Sequence, residues 1–91
     1  MLVAGTEPPD VVELWDWTLA PGERHDSGGT RELLHVQEGT VTVEVDGNRY
    51  DLAPGDALSF YGDAAHAYIN STDNSARFSL TVFEPDVGTA H

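Results

Sequence analysis

Two imidazoles and one carboxylate, His25, Glu32 and His66, stand in two segments of this 91-residue chain that turn on glycines, His25 to Gly39 and Gly55 to Asn70. Delivered from separate β segments, they make the two-histidine, one-carboxylate donor set that holds a divalent ion on one face and leaves the opposite positions open. Fe, Mn, Ni, Cu and Zn all suit such a set. An ion held there polarises a bound oxygen or activates water or O₂. The same side chains also suit a metal-free pocket in which the histidines hydrogen-bond to Glu32, and the residue types leave both readings open. With no cysteine and no Gly-x-Ser-x-Gly segment, nucleophilic catalysis of the usual kinds has no residue to stand on.

The elements that must position these groups are strands. Val11 to Leu19 alternates, with Val11, Trp15, Trp17 and Leu19 on one face and Val12, Leu14, Asp16 and Thr18 on the other, the period of a half-buried strand. Ala20-Pro21-Gly22 ends it, and residues 23–31 read as a loop with adjacent glycines. Glu32 to Gln37 is the next strand, and period two puts Glu32 on the face of Leu34 and Val36. A carboxylate aimed into an apolar interior needs a metal or a hydrogen-bonded partner, because an isolated buried charge is very costly. His35 falls on the opposite face and reads as exposed. Thr40 to Val45 alternates again, and Asp46-Gly47 is a hairpin signal leading into residues 49–52. After Pro54-Gly55, residues 57–60 and 66–70 form two further strands. His66, Tyr68 and Asn70 share a face of the second. Tyr68 is there either a hydroxyl for a ligand or a core tyrosine with its OH at the rim, and Asn70 reads as a stabiliser of the following turn. A last strand runs from Ala76 to Phe83 with Phe78, Leu80 and Val82 inward. Short strands at turn-marked intervals, with no credible helix, argue an all-β sandwich or barrel.

Two motifs in these segments resemble those of the cupin family. In the first of that family's motifs, a histidine is followed two positions on by a second, then by a glutamate after four intervening residues and a glycine after six more; His25, Glu32 and Gly39 hold those places. The second motif opens on a glycine and closes on a histidine and an asparagine, matched by Gly55, His66 and Asn70. The departures are Ser27 at the second histidine, Leu19 at the opening glycine, and Tyr61-Gly62-Asp63 in place of proline-x-glycine. The resemblance, over residues 11 to 84, implies the double-stranded β-helix or jelly roll of that family, a small barrel with the pocket inside. It implies His25, Glu32 and His66 as metal ligands, with the fourth replaced by Ser27, and it makes Ser27 and Tyr68 ligand-binding candidates. On this reading residues 1–10 are a lead-in, 11–85 the domain and 86–91 a tail.

Sixteen Asp and Glu against four arginines and no lysine give a formal net charge of −12. Nucleic-acid affinity rests on clustered Lys or Arg at phosphates, so this chain is not expected to bind DNA or RNA directly, nor anionic membranes. No apolar run approaches the ~20 residues of a membrane span, residues 1–5 are too short for a signal peptide, and a soluble cytoplasmic protein is expected. A chain of this size buries only about 60–65% of its unfolded surface. Cupins often pair through a sheet, so the resemblance implies a homodimer, with Trp15, Trp17, Leu33 and Ile69 as candidates for its face and ordinary core as the other reading of each.

Within the cupins, the stretches from Val11 to Gly22 and from Gly29 to Val36 resemble the C-terminal sensor domain of bacterial helix-turn-helix transcriptional regulators. That implies a small-molecule effector in the pocket. The competing expectation is a stand-alone metal-dependent enzyme, a dioxygenase, isomerase or cyclase, acting on a small substrate. A purely structural dimer with a vestigial pocket is a third.

Overall fold

The structure is a computed structural model that describes residues 1–27, 31–61 and 65–84, with only the backbone of Ser27 and Tyr61. Nine strands are described: β1 (Leu2–Gly5), β2 (Val11–Leu19), β3 (Arg24–Ser27), β4 (Arg31–Glu38), β5 (Val41–Val45), β6 (Asn48–Leu52), β7 (Ala57–Tyr61), β8 (His66–Ile69) and β9 (Ala76–Glu84). They form two antiparallel sheets, ordered β1-β2-β9-β4-β7 and β3-β8-β5-β6. This is the all-β architecture that the turn spacing implied, in the jelly-roll form that the resemblance implied.

Alternation decides the core. Leu34 and Val36 of β4, Phe78 and Leu80 of β9, Leu19 of β2, Val41 and Val43 of β5 and Tyr68 of β8 are all buried, and Trp15, Trp17, Leu58, Phe60 and Val82 pack against them half-buried. The inward faces read from the sequence are thus correct for β2, β4, β8 and β9. Asp46 and Gly47 both take positive φ, 49° and 82°, the backbone that a two-residue hairpin requires, and join β5 to β6.

Within residues 1–10, read as a lead-in, Leu2–Gly5 pairs with β2 at Trp15, Leu14 and Glu13. The loop placed over residues 23–31 holds β3, a strand without apolar alternation (Arg-His-Asp-Ser) that owes its form to pairing with β8. The four residues proposed for one dimer face also separate. Trp15 and Trp17 turn inward with the core, Leu33 lies on the outer face of the five-stranded sheet at 56% exposure, and Ile69 belongs to the other sheet. His35 is exposed, as its phase on β4 requires. The domain limit and tail set at residues 85–91 lie outside the described residues.

Gly39 ends β4 with φ 71°, and a Cβ there would stand 2.7 Å from the Ser75 carbonyl oxygen and 2.9 Å from Ala76 Cα. Both obstacles are backbone and cannot swing away. Gly39→Ala is expected to cost about 2 kcal/mol, from left-handed strain and this clash together. Urea unfolding at unchanged slope reads it, and an unchanged midpoint would show that the β4–β9 corner adapts.

Candidate functional site

The site is built where β3 ends, β4 begins, β7 ends and β8 begins. Register fixes its membership. Glu32 of β4 stands opposite Phe60 of β7 and Val82 of β9, and on the other sheet His25 stands opposite Tyr68 and Ser27 opposite His66. Inward side chains from the two sheets then meet across the sandwich.

Glu32 is 5% exposed and His66 4%. Glu32 Oε2 accepts a hydrogen bond from Tyr68 OH at 2.9 Å and lies 2.8 Å from His66 Nε2. One carboxylate oxygen thus gathers a phenol and an imidazole. That answers the question of what compensates a buried carboxylate, and arginine is not the answer for three of the four: Arg24 and Arg49 pair with Glu44, and Arg77 with Asp16. Phe60 packs edge-on against the His66 ring at 5.1 Å between centroids, and the Tyr68 ring lies 5.5 Å from it. The network is buried and aromatic-walled, where charge and hydrogen bonds count for more than in water.

Burial, and then the neighbouring Glu32 carboxylate, push the Tyr68 phenol far above its ordinary value. A folded-state value above the unfolded one gives stability that is complete below the unfolded phenol value of about 10 and is lost as pH rises beyond it. Tyr68 is therefore expected to ionise only as the protein unfolds. Spectrophotometric titration checks this: Tyr68→Phe should remove no amplitude from the reversible step near pH 10, and loss of one tyrosine's amplitude from that step would contradict it.

Of the three residues read as metal ligands, Glu32 and His66 are together and His25 is not with them. The His25 ring is parallel to Tyr68 at 6.2 Å and tilted against Trp17 at 4.9 Å. The tyrosine thus stands between His25 and the carboxylate it was expected to help. Among the described residues no group of three His, Asp or Glu side chains is close enough to hold a metal ion. The register gives the reason. The position beside His66 on β3 is 27, a serine in this chain, and His25 lies two pairs further along, opposite Tyr68. Glu32 and His66 alone, with Tyr68 occupying the same carboxylate oxygen, do not fit the three-ligand site, and no step is derived through a metal. The Ser27 side chain lies outside the described residues. Tyr68, set by the sequence beside the pocket and opposite the ligands, is instead bonded to the carboxylate.

Asn70 is fully buried, and the turn role read for it is correct. Its Nδ2 donates to the Leu19 and Asn74 carbonyls at 3.0 and 2.7 Å, and its Oδ1 accepts from Thr72 N and Thr72 OH at 3.0 and 2.7 Å. Sequence reasoning missed Phe60 and Trp17 as members of the site. Phe60 shares phase with Leu58 on β7, and that phase was the available signal. A hollow of about 390 Å³ is lined by Arg31, Glu32, Leu33, Ser59, Phe60, Thr81 and Phe83. Arg31, Leu33, Ser59, Thr81 and Phe83 share the outward phase, so this hollow lies outside the barrel, behind the network.

A sequence profile of the Cupin domain family matches residues 15–83. A comparison with curated proteins found no match. Among solved structures, a Cupin_2 domain of an XRE family transcriptional regulator from Enterobacter cloacae is similar, at 28% identity and TM-score 0.78 over 81% of this chain and 82% of that one. An HTH_3 family transcriptional regulator from Vibrio cholerae is 29% identical, with TM-score 0.75, over 81% of this chain. This chain spans only 43% of that regulator's length. A cupin-superfamily sugar phosphate isomerase from Silicibacter pomeroyi is 28% identical, with TM-score 0.62, over 79% of this chain and 48% of that one.

Proposed function

Because this chain belongs to the cupin family, and the similar structures include the cupin domain of one transcriptional regulator and a second transcriptional regulator, we propose that it is a small-molecule-binding cupin domain of the sensing type. The carrying observation is the carboxylate at the end of the barrel whose Oε2 serves both Tyr68 and His66. A ligand hydrogen-bond donor that takes over this oxygen displaces one of the two, and the displaced ring moves against Phe60 and Phe78, which both touch Tyr68. A polar contact is thereby converted into a shift of packing between the sheets. Such a ligand changes the domain only by its preference for the rearranged state.

Effector and protein meet in the cytoplasm on this reading, and any DNA contact belongs to another chain or segment. The domain works as a homodimer through the outer face of the five-stranded sheet. Between Arg31 and the Asp16–Arg77 pair, the outward positions with a paired register are Val12, Leu14, Leu33, His35, Ala57, Ser59, Ser79, Thr81 and Phe83, and none is acidic in a chain of net charge −12. Val12, Leu14 and Leu33 are exposed there. Leu33→Glu is expected to shift the weight-average mass in sedimentation equilibrium from dimer to monomer, and an unchanged mass would remove this face from consideration.

A second reading has one observation behind it. Glu32 and His66 at 2.8 Å are also a carboxylate–imidazole pair suited to moving a proton, which keeps a small isomerase-type enzyme as the alternative. The test is a thermal-shift screen of small metabolites and of Mn, Fe, Ni, Cu and Zn ions. An effector at a hundred times its Kd stabilises by about 2.7 kcal/mol. The sensing reading expects organic compounds that raise Tm and are recovered unchanged after incubation. Turnover of such a compound moves the enzyme reading forward, and stabilisation by a metal ion alone overturns the metal-free site.

A further inference from the structure

The barrel holds one buried donor that the Glu32 network does not use. Trp17 Nε1 is buried and has no hydrogen-bond acceptor among the described residues. A buried N–H left without an acceptor costs about as much as a lost hydrogen bond, and native interiors keep few of them. Beside it the His25 ring leans against the indole at 4.9 Å, itself half-buried and parallel to Tyr68. Trp15 stacks on the other side at 5.9 Å. These groups sit between the two sheets along the side where β2 and β3 face each other, and the backbone hydrogen bonds of the N-terminal segment to β2 reach as far as Asp16.

An indole N–H asks for an acceptor oxygen. Its surroundings choose the kind. The chain carries a net charge of −12, and both Glu13 and the buried Glu32 lie in phase on the inner face, level with Val82. Trp17 stands two inward positions along β9, level with Phe78, so a carboxylate held in the barrel beside it faces that acidic level and is disfavoured, whereas a neutral carbonyl is not. The rings of Trp15, Trp17 and His25 also offer flat apolar surface to a planar body. We propose that Trp17 Nε1 is a ligand-recognition group that donates to the carbonyl oxygen of a neutral, planar amide- or ketone-type effector lodged against His25. The proposal rests on the reading of the barrel as a ligand site, and it adds the chemical class of the ligand.

The probes are benzamide, benzoate and toluene, which share a ring and differ in the acceptor. The ¹H–¹⁵N spectrum of the unmodified protein shows each indole N–H directly; the Trp17 signal is assigned by its loss in Trp17→Phe or, if that variant does not fold, by its retention in Trp15→Phe. Benzamide is expected to move the Trp17 indole proton downfield and saturably, with toluene and benzoate binding about tenfold more weakly. A Trp17 signal that stays put to the solubility limit of benzamide overturns the inference, as does an equal shift with toluene. The His66 and Tyr68 ring signals keep the two ideas apart. Movement there with Trp17 stationary overturns this proposal and leaves the barrel reading standing, and no movement at any of the three counts against both.

Discussion

Glu32→Ala is expected to destabilise the protein by about 3–5 kcal/mol, a loss that single surface substitutions do not approach. The substitution removes few apolar contacts, so its cost lies in what stays behind. Tyr68 OH and His66 Nε2 both lose the oxygen at 2.9 and 2.8 Å, in a place where water does not replace it: Tyr68 is 1% and His66 4% exposed. At roughly 4–8 °C per kcal/mol for a domain of this size, Tm falls by more than ~10 °C. The combined change Glu32→Leu, His66→Leu and Tyr68→Phe removes the carboxylate and both groups it holds together, and most of the stability should return, because apolar groups of similar volume replace buried polar pairs at little cost. Calorimetry of the two variants decides it. A triple variant no more stable than Glu32→Ala would mean that the network contributes more than mutual satisfaction.

Phe78→Ala is expected to cost about 3–5 kcal/mol as well, by a different route. Phe78 is fully buried at the centre of β9, opposite Val36 on one side and Trp17 on the other, and its ring supports Tyr68 at 5.3 Å. Loss of the ring removes dispersion contacts and leaves a void between the sheets that β9, hydrogen-bonded on both edges, is poorly placed to close. Phe78→Leu keeps most of the volume and should cost under half as much. Denaturant midpoints at constant slope measure both. Equal costs for Ala and Leu would show that ring shape, through Tyr68, matters more than volume.

The two largest expected effects fall on residues that the sequence already pointed to. Glu32 could be placed inside the barrel because Leu34 and Val36 share its phase, and an inward carboxylate demands a partner; His66 and Tyr68 could be placed together for the same reason on β8. The all-β sandwich or barrel was legible because alternation and turn residues recur along most of the chain, and the motif resemblance narrowed it to the jelly roll. What alternation could not supply was the pairing of one strand with another. β3 has no apolar residue to reveal it, so the register that sets His25 opposite Tyr68 and position 27 opposite His66 was invisible. A two-pair offset of that kind separates three ligands that motif spacing alone brings together. β1 was missed because all four of its residues are exposed and its only support is the edge of β2. Trp17 was correctly placed in the interior by its phase, but its unmet indole N–H depends on which groups surround it, and no spacing rule reports that.

The central claim is that the Glu32 carboxylate anchors a ligand at the end of the barrel. Isothermal titration of the most stabilising compound from the screen, into the native protein and into Glu32→Gln, tests it most directly. The amide keeps the volume and a hydrogen-bonding oxygen for Tyr68, so the fold survives while the charge-assisted bond to a ligand donor is lost. The account predicts affinity weaker by at least about tenfold in Glu32→Gln, as a charge-assisted hydrogen bond of about 1.5–3 kcal/mol requires. Equal affinity in the two proteins would contradict it and place the ligand elsewhere.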